Sequence, residues 1–501
     1  MADEEGYERP KNSLWKRLVP PDPVKNFIYT LPKERRPYLP IFGGVLVMVT
    51  LGTLYTEGNM VPYILSYMRQ HGQPDLQVNS MPWLVSLQGG IPFTMIVGGV
   101  MGEWIGYRAT TLVGCFLFWI AVAATYYTIN YSFLAFLSTY GLLFGFAIKI
   151  PYNSALVAGM KWMPDRVGLA SGLLVGAYGL GSFVFSPIQT GYINPWNYSP
   201  NCDGYFCQWD LLARVPAVFL VMALIQFAVD MVGVVFICDP IKEGSQAPVD
   251  KGPDERTPLL KDKEEIKKEE EEAKEQKKER WSATVSETVR SSTFWWLALA
   301  YVFNVTTVFS ITNYWKTYGQ TFIEDDFFLS GISSICSIGN CVGRVFWGFL
   351  SDKLSFQVTM SIASCLTSAL CFLLPAAKLT NQYVFLVHMT ATYFCGAASY
   401  PLFPMATSKC FGPKHVGVNY SILFAFNQLG NLGVAVVSQL FFVYLDYNGT
   451  FFLAAVLCFA AFLLTATIHL TKFGKGAQQY AIENEPENAK IRRRLSISQS
   501  N

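Results

Sequence analysis

Charged side chains are scarce in this sequence. Asp, Glu, Lys and Arg make up 15% of its 501 residues and apolar residues make up 51%, whereas soluble domains carry about 25% charged residues. The scarcity excludes an ordinary soluble domain. The sequence also lacks a Walker-type phosphate loop, a metal-ligand cluster and a nucleophile–base pair. We therefore expect neither an enzyme nor an ATP-driven pump, and no cofactor, metal or nucleic-acid partner.

Long apolar runs dominate what is present. A bilayer core needs roughly 20 apolar residues per helix, and runs of this length begin near residues 39, 81, 109, 132, 167, 213, 292, 327, 357, 383, 416 and 449. The sequence therefore predicts an all-α membrane protein with twelve transmembrane helices in two six-helix bundles. The predicted parts are a tail (1–37), a first bundle (38–238), a charged linker (239–290), a second bundle (291–472) and a second tail (473–501).

The placement of Lys and Arg predicts the orientation of the chain in the bilayer. Both tails are basic, and so are the short connections that hold Arg108, Lys353 and Lys409. The opposite loops are acidic or nearly neutral. We therefore expect both termini in the cytoplasm. The first thirty residues are polar, so we expect no cleavable signal peptide.

One motif occurs twice, with the second copy 249 residues after the first. The copies are Gly99–Arg108 and Gly348–Gln357. Two further pairs keep the same spacing: Pro164 with Pro413, and Gly168 with Gly417. A repeat of half the chain length, built from hydrophobic segments, is typical of a transporter made of two similar bundles.

The doubled Gly-x-x-x-(Asp/Glu)-x-x-(Gly/Ser) loop resembles the signature loop of the major facilitator superfamily. The resemblance implies a secondary transporter whose two bundles rock about a central site. Its gating candidates here are Glu103, Arg108 and Asp352, because an acidic residue can meet a helix terminus or a basic partner and hold one conformation. The second copy departs from the family pattern, with Ser355 in place of Gly and Gln357 in place of Arg.

Further segments resemble the oxalate/formate antiporter family and its monocarboxylate transporter relatives. They are Leu51–Tyr55, the stretch from Trp162 through Gly172, and the stretch from Gly343 through Asp352. The resemblance implies that Arg344 in helix eight binds a substrate carboxylate, since a guanidinium group can hold a carboxylate through two parallel hydrogen bonds. Arg344 paired with backbone carbonyls or with Asp352 is the alternative.

Two departures from that family pattern bear on the substrate. Asn340 stands where the carriers have Asp, which leaves Arg344 less neutralised and favours an anionic substrate. The lysine that the oxalate/formate pattern has in helix eleven is missing. Helix eleven offers Asn427, Gln428 and Asn431 instead, which argues against a dicarboxylate such as oxalate.

Ionisable side chains at bilayer depth cost about 2.5–3.5 kcal/mol each, so each one is a functional hypothesis. Lys149 in helix four is a second candidate anchor for an anionic substrate, or a lysine whose proton moves during the cycle. Glu57 in helix one is the candidate for proton coupling, because a buried carboxylate near a cation can titrate in the physiological range. A static Glu57–Lys149 ion pair is the alternative. For Asp230 we expect a contact with a neighbouring helix, and for His388 an ordinary partnered side chain.

Aromatic residues on the helices that line the central cavity of the superfamily are candidate cavity residues. They are Tyr55, Tyr152, Tyr314 and Tyr400.

Motifs outside the helices concern delivery and processing. Glu255 to Leu260, with Leu259 and Leu260 as the dileucine, resembles eukaryotic endosome and lysosome sorting signals, so we expect a sorting adaptor and endolysosomal delivery, with the plasma membrane as the alternative. Cys202 and Cys207 are candidates for a disulfide in the loop after helix five. Asn197 in the same loop begins a glycosylation sequon weakened by a following proline.

The leading prediction is a secondary active transporter for a small organic anion, in particular a monocarboxylate, working as a proton-coupled symporter or an antiporter. Two alternatives stay open at this point. One is an amino-acid transporter of the same fold, since Glu57, Lys149 and Arg344 would suit a zwitterion. The other is a membrane adaptor or sensor that transports nothing.

Overall fold

The computed structural model describes residues 23–76, 80–89, 94–196, 198, 205–240, 282–319, 321–323, 326–379 and 381–475. Every regular element within these residues is a helix. The prediction of an all-α protein is therefore confirmed for the described part of the chain.

Eleven helices are described in the first half. They are α1 (Pro23–Thr30), α2 (Tyr38–Leu51), α3 (Glu57–Gln70), α4 (Pro82–Gly89), α5 (Thr94–Ile105), α6 (Tyr107–Thr128), α7 (Phe133–Phe136), α8 (Phe144–Trp162), α9 (Val167–Ile193), α10 (Trp209–Leu212) and α11 (Arg214–Phe236). A 3-10 segment, Gly52–Thr56, joins α2 to α3, and a π-helical segment, Leu137–Leu143, joins α7 to α8.

The described part of the second half contains seven helices. They are α12 (Val285–Arg290), α13 (Ser292–Gly319), α14 (Asp326–Leu354), α15 (Phe356–Leu373), α16 (Gln382–Gly396), α17 (Ser399–Phe411) and α18 (Val416–Ala466).

The helices begin close to the starts of the apolar runs. Val167, Ser292 and Val416 are both predicted and observed helix starts. Helix α18 contains a break at Asp446, whose φ of 52° and ψ of −174° are not helical, three residues before the predicted start of the twelfth run at 449. Eight helical segments of the described residues are long and apolar enough to cross a bilayer. The chain is thus an integral multi-pass membrane protein, while the count of twelve and the position of the termini stay predictions.

The most extensive contacts between the halves are those of α9 along α14 and of α5 along α18, and α9 also packs against α17. Within the first half, α6 packs against α8 and α11, and α2 packs against α9 and α11. Small residues permit these close approaches. A Cβ atom added to Gly52 would overlap the backbone at Tyr178 and Gly181, so α2 and α9 could not approach as they do if Gly52 were larger.

The two motif loops share an unusual backbone conformation. Gly106 has φ 87° and ψ 155°, and Ser355, 249 residues later, has φ 134° and ψ 161°. This region of backbone space is occupied almost only by glycine and costs other residues about 1–3 kcal/mol. Ser355 recovers part of that cost, because its Oγ accepts a hydrogen bond from the Val358 N–H at 3.3 Å and caps α15.

We expect Ser355→Gly to stabilise the protein by about 1 kcal/mol, because it relieves backbone strain and a glycine cap is only a few tenths of a kcal/mol weaker than serine. Thermal unfolding of the purified protein in detergent measures the change. The reciprocal variant, Gly106→Ser, should lower the unfolding temperature. A lower unfolding temperature for Ser355→Gly would contradict the strain argument.

Candidate functional site

The two motif copies lie at one end of the molecule, which we call the repeat face, and each packs against the other half. A Cβ atom on Gly168 would overlap the Gly348 carbonyl oxygen, and one on Gly99 would lie 2.8 Å from the Gly417 carbonyl oxygen. The four glycines that keep the 249-residue spacing are therefore the points where α9 crosses α14 and α5 crosses α18. Both crossings join the first half to the second.

Asp352 ties the second motif copy to the first half. Its two carboxylate oxygens accept hydrogen bonds from the backbone N–H groups of Gly168 at 2.8 Å and Leu169 at 2.6 Å, at the start of α9. The Lys409 Nζ lies 3.7 Å from the same carboxylate. A carboxylate at a helix N-terminus is favourable because the free N–H groups and the helix dipole are positive there. This contact closes the repeat face between α14 and α9.

Glu103 occupies the equivalent place in the first copy and contacts the other half through a different partner. Its Oε2 lies 3.3 Å from Nδ1 of His415, the residue before α18. The Arg108 guanidinium donates to the carbonyl oxygens of Ile237 at 2.6 Å and Val235 at 2.9 Å, at the end of α11. The three gating candidates thus all lie at helix ends on the repeat face, and two of them bridge the halves.

Arg344 lies deeper, on α14, and is 3% exposed. Its Nη1 donates to the Val175 carbonyl on α9 at 2.9 Å, and its Cζ lies 4.4 Å from the Tyr400 ring centroid and 6.0 Å from the Tyr55 ring centroid. Its Nε, also buried, has no hydrogen-bond partner among the described residues. A buried guanidinium N–H without an acceptor is costly, so this group is suited to receive an anionic ligand.

Gly179 makes room for this guanidinium. A Cβ atom at Gly179 would lie 3.3 Å from Arg344 Nη1, which is tight against a group that must hold its orientation. Asn340, one turn before Arg344, donates to the Tyr393 carbonyl at 3.3 Å. The arginine therefore has no acidic neighbour at that position of α14.

Aromatic rings connect Arg344 to the second buried cation. Tyr178 contacts both Tyr55 and Tyr152 with ring centroids 5.2 Å apart, and Tyr152 contacts Phe424 at 6.1 Å. The Lys149 Nζ lies 5.3 Å from the Phe424 ring centroid, and its side chain is 8% exposed. We call Tyr55, Tyr152, Tyr178, Tyr400 and Phe424 the aromatic cluster. It has Arg344 at one end and Lys149 at the other.

The cluster is not fully covered by protein, because Tyr55 is 41% exposed. Glu57 lies two residues beyond Tyr55, at the start of α3, and is partly buried. Among the described residues no ion pair joins Glu57 to Lys149. The static pair considered from the sequence is therefore not present in this conformation.

The other sequence candidates lie apart from the cluster. Tyr314 contacts Tyr447 edge to face, with ring centroids 6.3 Å apart. Asp230 is hydrogen-bonded to Thr50 on α2 and to Trp119 on α6, as expected of a helix contact. His388 Nε2 lies 2.8 Å from the Leu370 carbonyl oxygen.

Three residues were not identified from the sequence: Tyr178 and Phe424 of the site, and Asn153 of the contact between the halves. Tyr178 lies in a glycine-rich stretch that predicts only a smooth helix face, and Phe424 carries no chemical signal at all. Asn153 on α8 donates to the carbonyl oxygens of Met95 and Gly417 at 3.2 and 3.1 Å. An asparagine two residues after a proline in an apolar helix was the available signal.

Some predictions concern residues outside the described part of the chain. These residues are Cys202, Asn197, Glu255, Leu259 and Leu260. The disulfide with Cys207, the glycosylation and the sorting signal therefore stay predictions.

Known proteins share sequence similarity with most of this chain. The family model described as Major Facilitator Superfamily matches residues 46–386 and 324–493. Apicoplast pyruvate carrier 1 of Toxoplasma gondii is 26% identical over 461 residues, covering 80% of this chain and 83% of the carrier. The oxalate:formate antiporter of Oxalobacter formigenes is 24% identical over 354 residues, covering 69% of this chain and 72% of the antiporter.

Solved structures show the same fold. The proton:xylose symporter XylE bound to 6-bromo-6-deoxy-D-glucose superposes with a TM-score of 0.62 at 12% sequence identity, covering 89% of this chain and 99% of the symporter.

Proposed function

The chain belongs to the major facilitator superfamily, and we propose that it carries a small organic anion, specifically a monocarboxylate, across a membrane by alternating access. The described conformation is closed at the repeat face, where Asp352 and the paired glycines join the halves. The aromatic cluster lies deeper, with Tyr55 exposed. Opening of the repeat face and closure on the Tyr55 side would expose the cluster to the other side of the membrane.

The observation that carries the substrate assignment is the buried, unpartnered Nε of Arg344 beside Tyr400 and Tyr55. A carboxylate could accept from Nε and from a second guanidinium N–H in the two-bond geometry that arginine favours. Relatives named for pyruvate and for oxalate and formate support an organic anion. We assign Arg344 as the main anchor, with Lys149 at the far end of the cluster as a second cation.

Lys149 lies at the end of the aromatic cluster opposite Arg344 and therefore limits the length of a substrate bound there. A monocarboxylate held at Arg344 would place the part of the molecule away from its carboxylate among Tyr152 and Tyr178, toward Lys149. The ammonium is already in contact with the Phe424 ring, an arrangement that partly compensates its burial. We therefore expect Lys149→Gln to weaken uptake less than loss of Arg344 does.

Uptake of radiolabelled pyruvate, lactate and formate into proteoliposomes, with and without a pH gradient, tests the proposal. Saturable uptake that other monocarboxylates inhibit would support it. Inhibition by amino acids alone would favour the zwitterion transporter instead. No uptake or exchange of any candidate by folded protein would count against a carrier function.

Proton coupling through Glu57 is the second part of the proposal. We expect Glu57→Gln to remove the stimulation of uptake by an inward proton gradient, because an amide of the same shape cannot bind and release a proton. Exchange of labelled for unlabelled substrate at equal pH should persist, since it does not require net proton movement. Uptake by Glu57→Gln that still rises with the gradient, as in the unmodified protein, would show that another group carries the proton.

The membrane of residence is proposed from sequence alone. The dileucine motif around Leu259 and Leu260 favours endolysosomal delivery through a sorting adaptor, with the plasma membrane as the destination when the motif is inactive. Imaging of the full chain with Leu259→Ala and Leu260→Ala would distinguish the two destinations.

A further inference from the structure

Asp230 is a fully buried carboxyl group that the transport site does not use. It lies on α11 where that helix packs against α2 and α6, and it is 0% exposed. Its Oδ1 lies 2.5 Å from Thr50 Oγ1, and its Oδ2 accepts from Trp119 Nε1 at 2.8 Å. Cys115 on α6 is the titratable group beside it. No described contact brings Lys, Arg or His to this carboxyl group.

The contacts of the Thr50 hydroxyl group indicate the protonation state of Asp230. Its oxygen lies 2.6 Å from the Val47 carbonyl oxygen and 2.5 Å from Asp230 Oδ1. A threonine hydroxyl has one proton, so it can donate to only one of the two. With an ionised Asp230, two oxygen atoms would remain in close contact with no proton between them.

A protonated Asp230 resolves this conflict. Its Oδ1–H donates to Thr50, Thr50 donates to Val47, and Trp119 donates to Oδ2, so that each of these three contacts has one donor and one acceptor. The alternative, an ionised carboxylate buried without a cation, carries a large desolvation penalty. We propose that Asp230 is a proton-binding site of the first half, holding in this conformation a neutral carboxylic acid that donates to Thr50.

Polar side chains lead from this site toward Glu57. One turn before Asp230, Gln226 donates to Thr53 Oγ1 at 3.2 Å, and its own Oε1 is buried without a hydrogen-bond partner among the described residues. Gln226 and Gln189 line one internal cavity with room for about one water molecule. Gln189 in turn donates at 2.9 Å to Thr56, the residue before Glu57.

We name this series, Asp230, Gln226, the cavity, Gln189 and Thr56, the polar route. A water molecule in the cavity would satisfy Gln226 Oε1 and connect the two glutamines. In this proposal the polar route, in which one turn of α11 separates Asp230 from Gln226, carries the Asp230 proton toward Thr56 and the neighbouring Glu57. Its use in transport rests on the proposed function, whereas the proton at Asp230 does not.

Infrared difference spectroscopy of the full chain in lipid nanodiscs at neutral pH tests the proton directly. The unmodified protein minus Asp230→Asn should show the C=O stretching band of a protonated carboxylic acid. The side-chain amide of Asp230→Asn can donate to Thr50 and accept from Trp119, so this variant should fold. Asp75→Asn, at an exposed aspartate, is the control and should remove carboxylate bands instead. Carboxylate bands in the Asp230 difference spectrum would overturn the proposal.

Thr50→Val and Trp119→Phe provide a second test of the proposal, which does not depend on the folding of Asp230→Asn. Each removes one partner of the acid, so each should shift the frequency of its C=O band. A band that neither variant moves belongs to another group and would overturn the assignment to Asp230.

Exchange into heavy water tests the polar route. The Asp230 band should shift on deuteration, and Gln226→Leu should slow that shift relative to the unmodified protein, because it removes the polar group next to the cavity. An unchanged exchange rate would overturn the route. None of these measurements contains substrate, so a failure of the transport assay leaves their outcome unaffected.

Discussion

Arg344→Ala lowers monocarboxylate uptake by roughly 30-fold or more, the largest loss we expect from any single substitution in the site. Truncating one partner of a buried, hydrogen-bonded charge pair costs about 2–5 kcal/mol, and 1.4 kcal/mol is about tenfold in affinity. Arg344 would meet those conditions with a bound carboxylate, because it is buried and its Nε has no protein acceptor in the described part of the chain. The loss should be in KM where binding limits uptake.

Arg344→Lys separates charge from geometry. The lysine keeps one positive charge but presents no planar fork, so the two parallel bonds to a carboxylate cannot form. We expect activity between that of the alanine variant and that of the unmodified protein. Concentration-dependent uptake into proteoliposomes, with reconstituted protein quantified, is the measurement.

An exposed arginine provides the matched control. Arg290 lies on α12, away from the aromatic cluster, and is exposed, so Arg290→Ala should leave KM and the maximal rate unchanged. An unaltered KM and maximal rate for Arg344→Ala would contradict the assignment of Arg344 as a substrate-binding residue. Lys149 would then be the buried cation to test.

The sequence predicts the helices well because each membrane-spanning helix needs a continuous run of apolar residues, which is visible in the local sequence. Val167, Ser292 and Val416 begin helices as the apolar runs predict. Arg344 and Lys149 were identifiable for the same reason: a cation in an apolar run is expensive and therefore rare. These inferences need no knowledge of which helix lies beside which.

Partners across the bundle are harder to predict. A membrane helix is apolar on all sides, so no polar stripe indicates which face contacts a neighbour. The pairing of Gly168 with Gly348, and of Lys149 with Phe424 rather than with Glu57, depends on tertiary packing between distant segments. The 249-residue spacing identified equivalent glycines but not that each copy contacts the other half.

The protonation of Asp230 could not be predicted from the sequence, because it also depends on contacts between distant segments. From composition alone, Asp230 is a carboxylate in an apolar helix. Its protonation follows only when Thr50 is found between Val47 and Asp230, with one hydroxyl proton for two contacts. Assigning a donor and an acceptor to each of these contacts requires the three-dimensional structure.

We expect Gly168→Ala to disfavour closure of the repeat face and to lower uptake at least several-fold. The added Cβ would overlap the Gly348 carbonyl oxygen and the Ser351 Oγ and would lie 2.9 Å from the Asp352 carboxylate. One of these neighbours is backbone, which cannot move aside without shifting α14. Overpacking of this kind costs about 1–3 kcal/mol, which changes a two-state population by about 5–150-fold.

Gly191→Ala on the same helix is the matched control, because a Cβ there has no described heavy atom within 4 Å. Electron spin resonance distances between labels at Asp165 and Lys353 report on the repeat face. We expect a longer distance for Gly168→Ala than for Gly191→Ala. Equal distances together with full uptake would show that the crossing of α9 and α14 tolerates a methyl group and does not control the gate.

The equivalent substitution in the other crossing should have a smaller effect. A Cβ at Gly417 would lie 3.4 Å from the Gly99 Cα, an ordinary contact distance, whereas the one at Gly168 overlaps its neighbours. Asp352 also bonds two backbone N–H groups of α9, while Glu103 reaches the His415 side chain before α18 at 3.3 Å. The α9–α14 crossing is thus the tighter of the two, and Gly417→Ala should retain more uptake than Gly168→Ala in the same preparation.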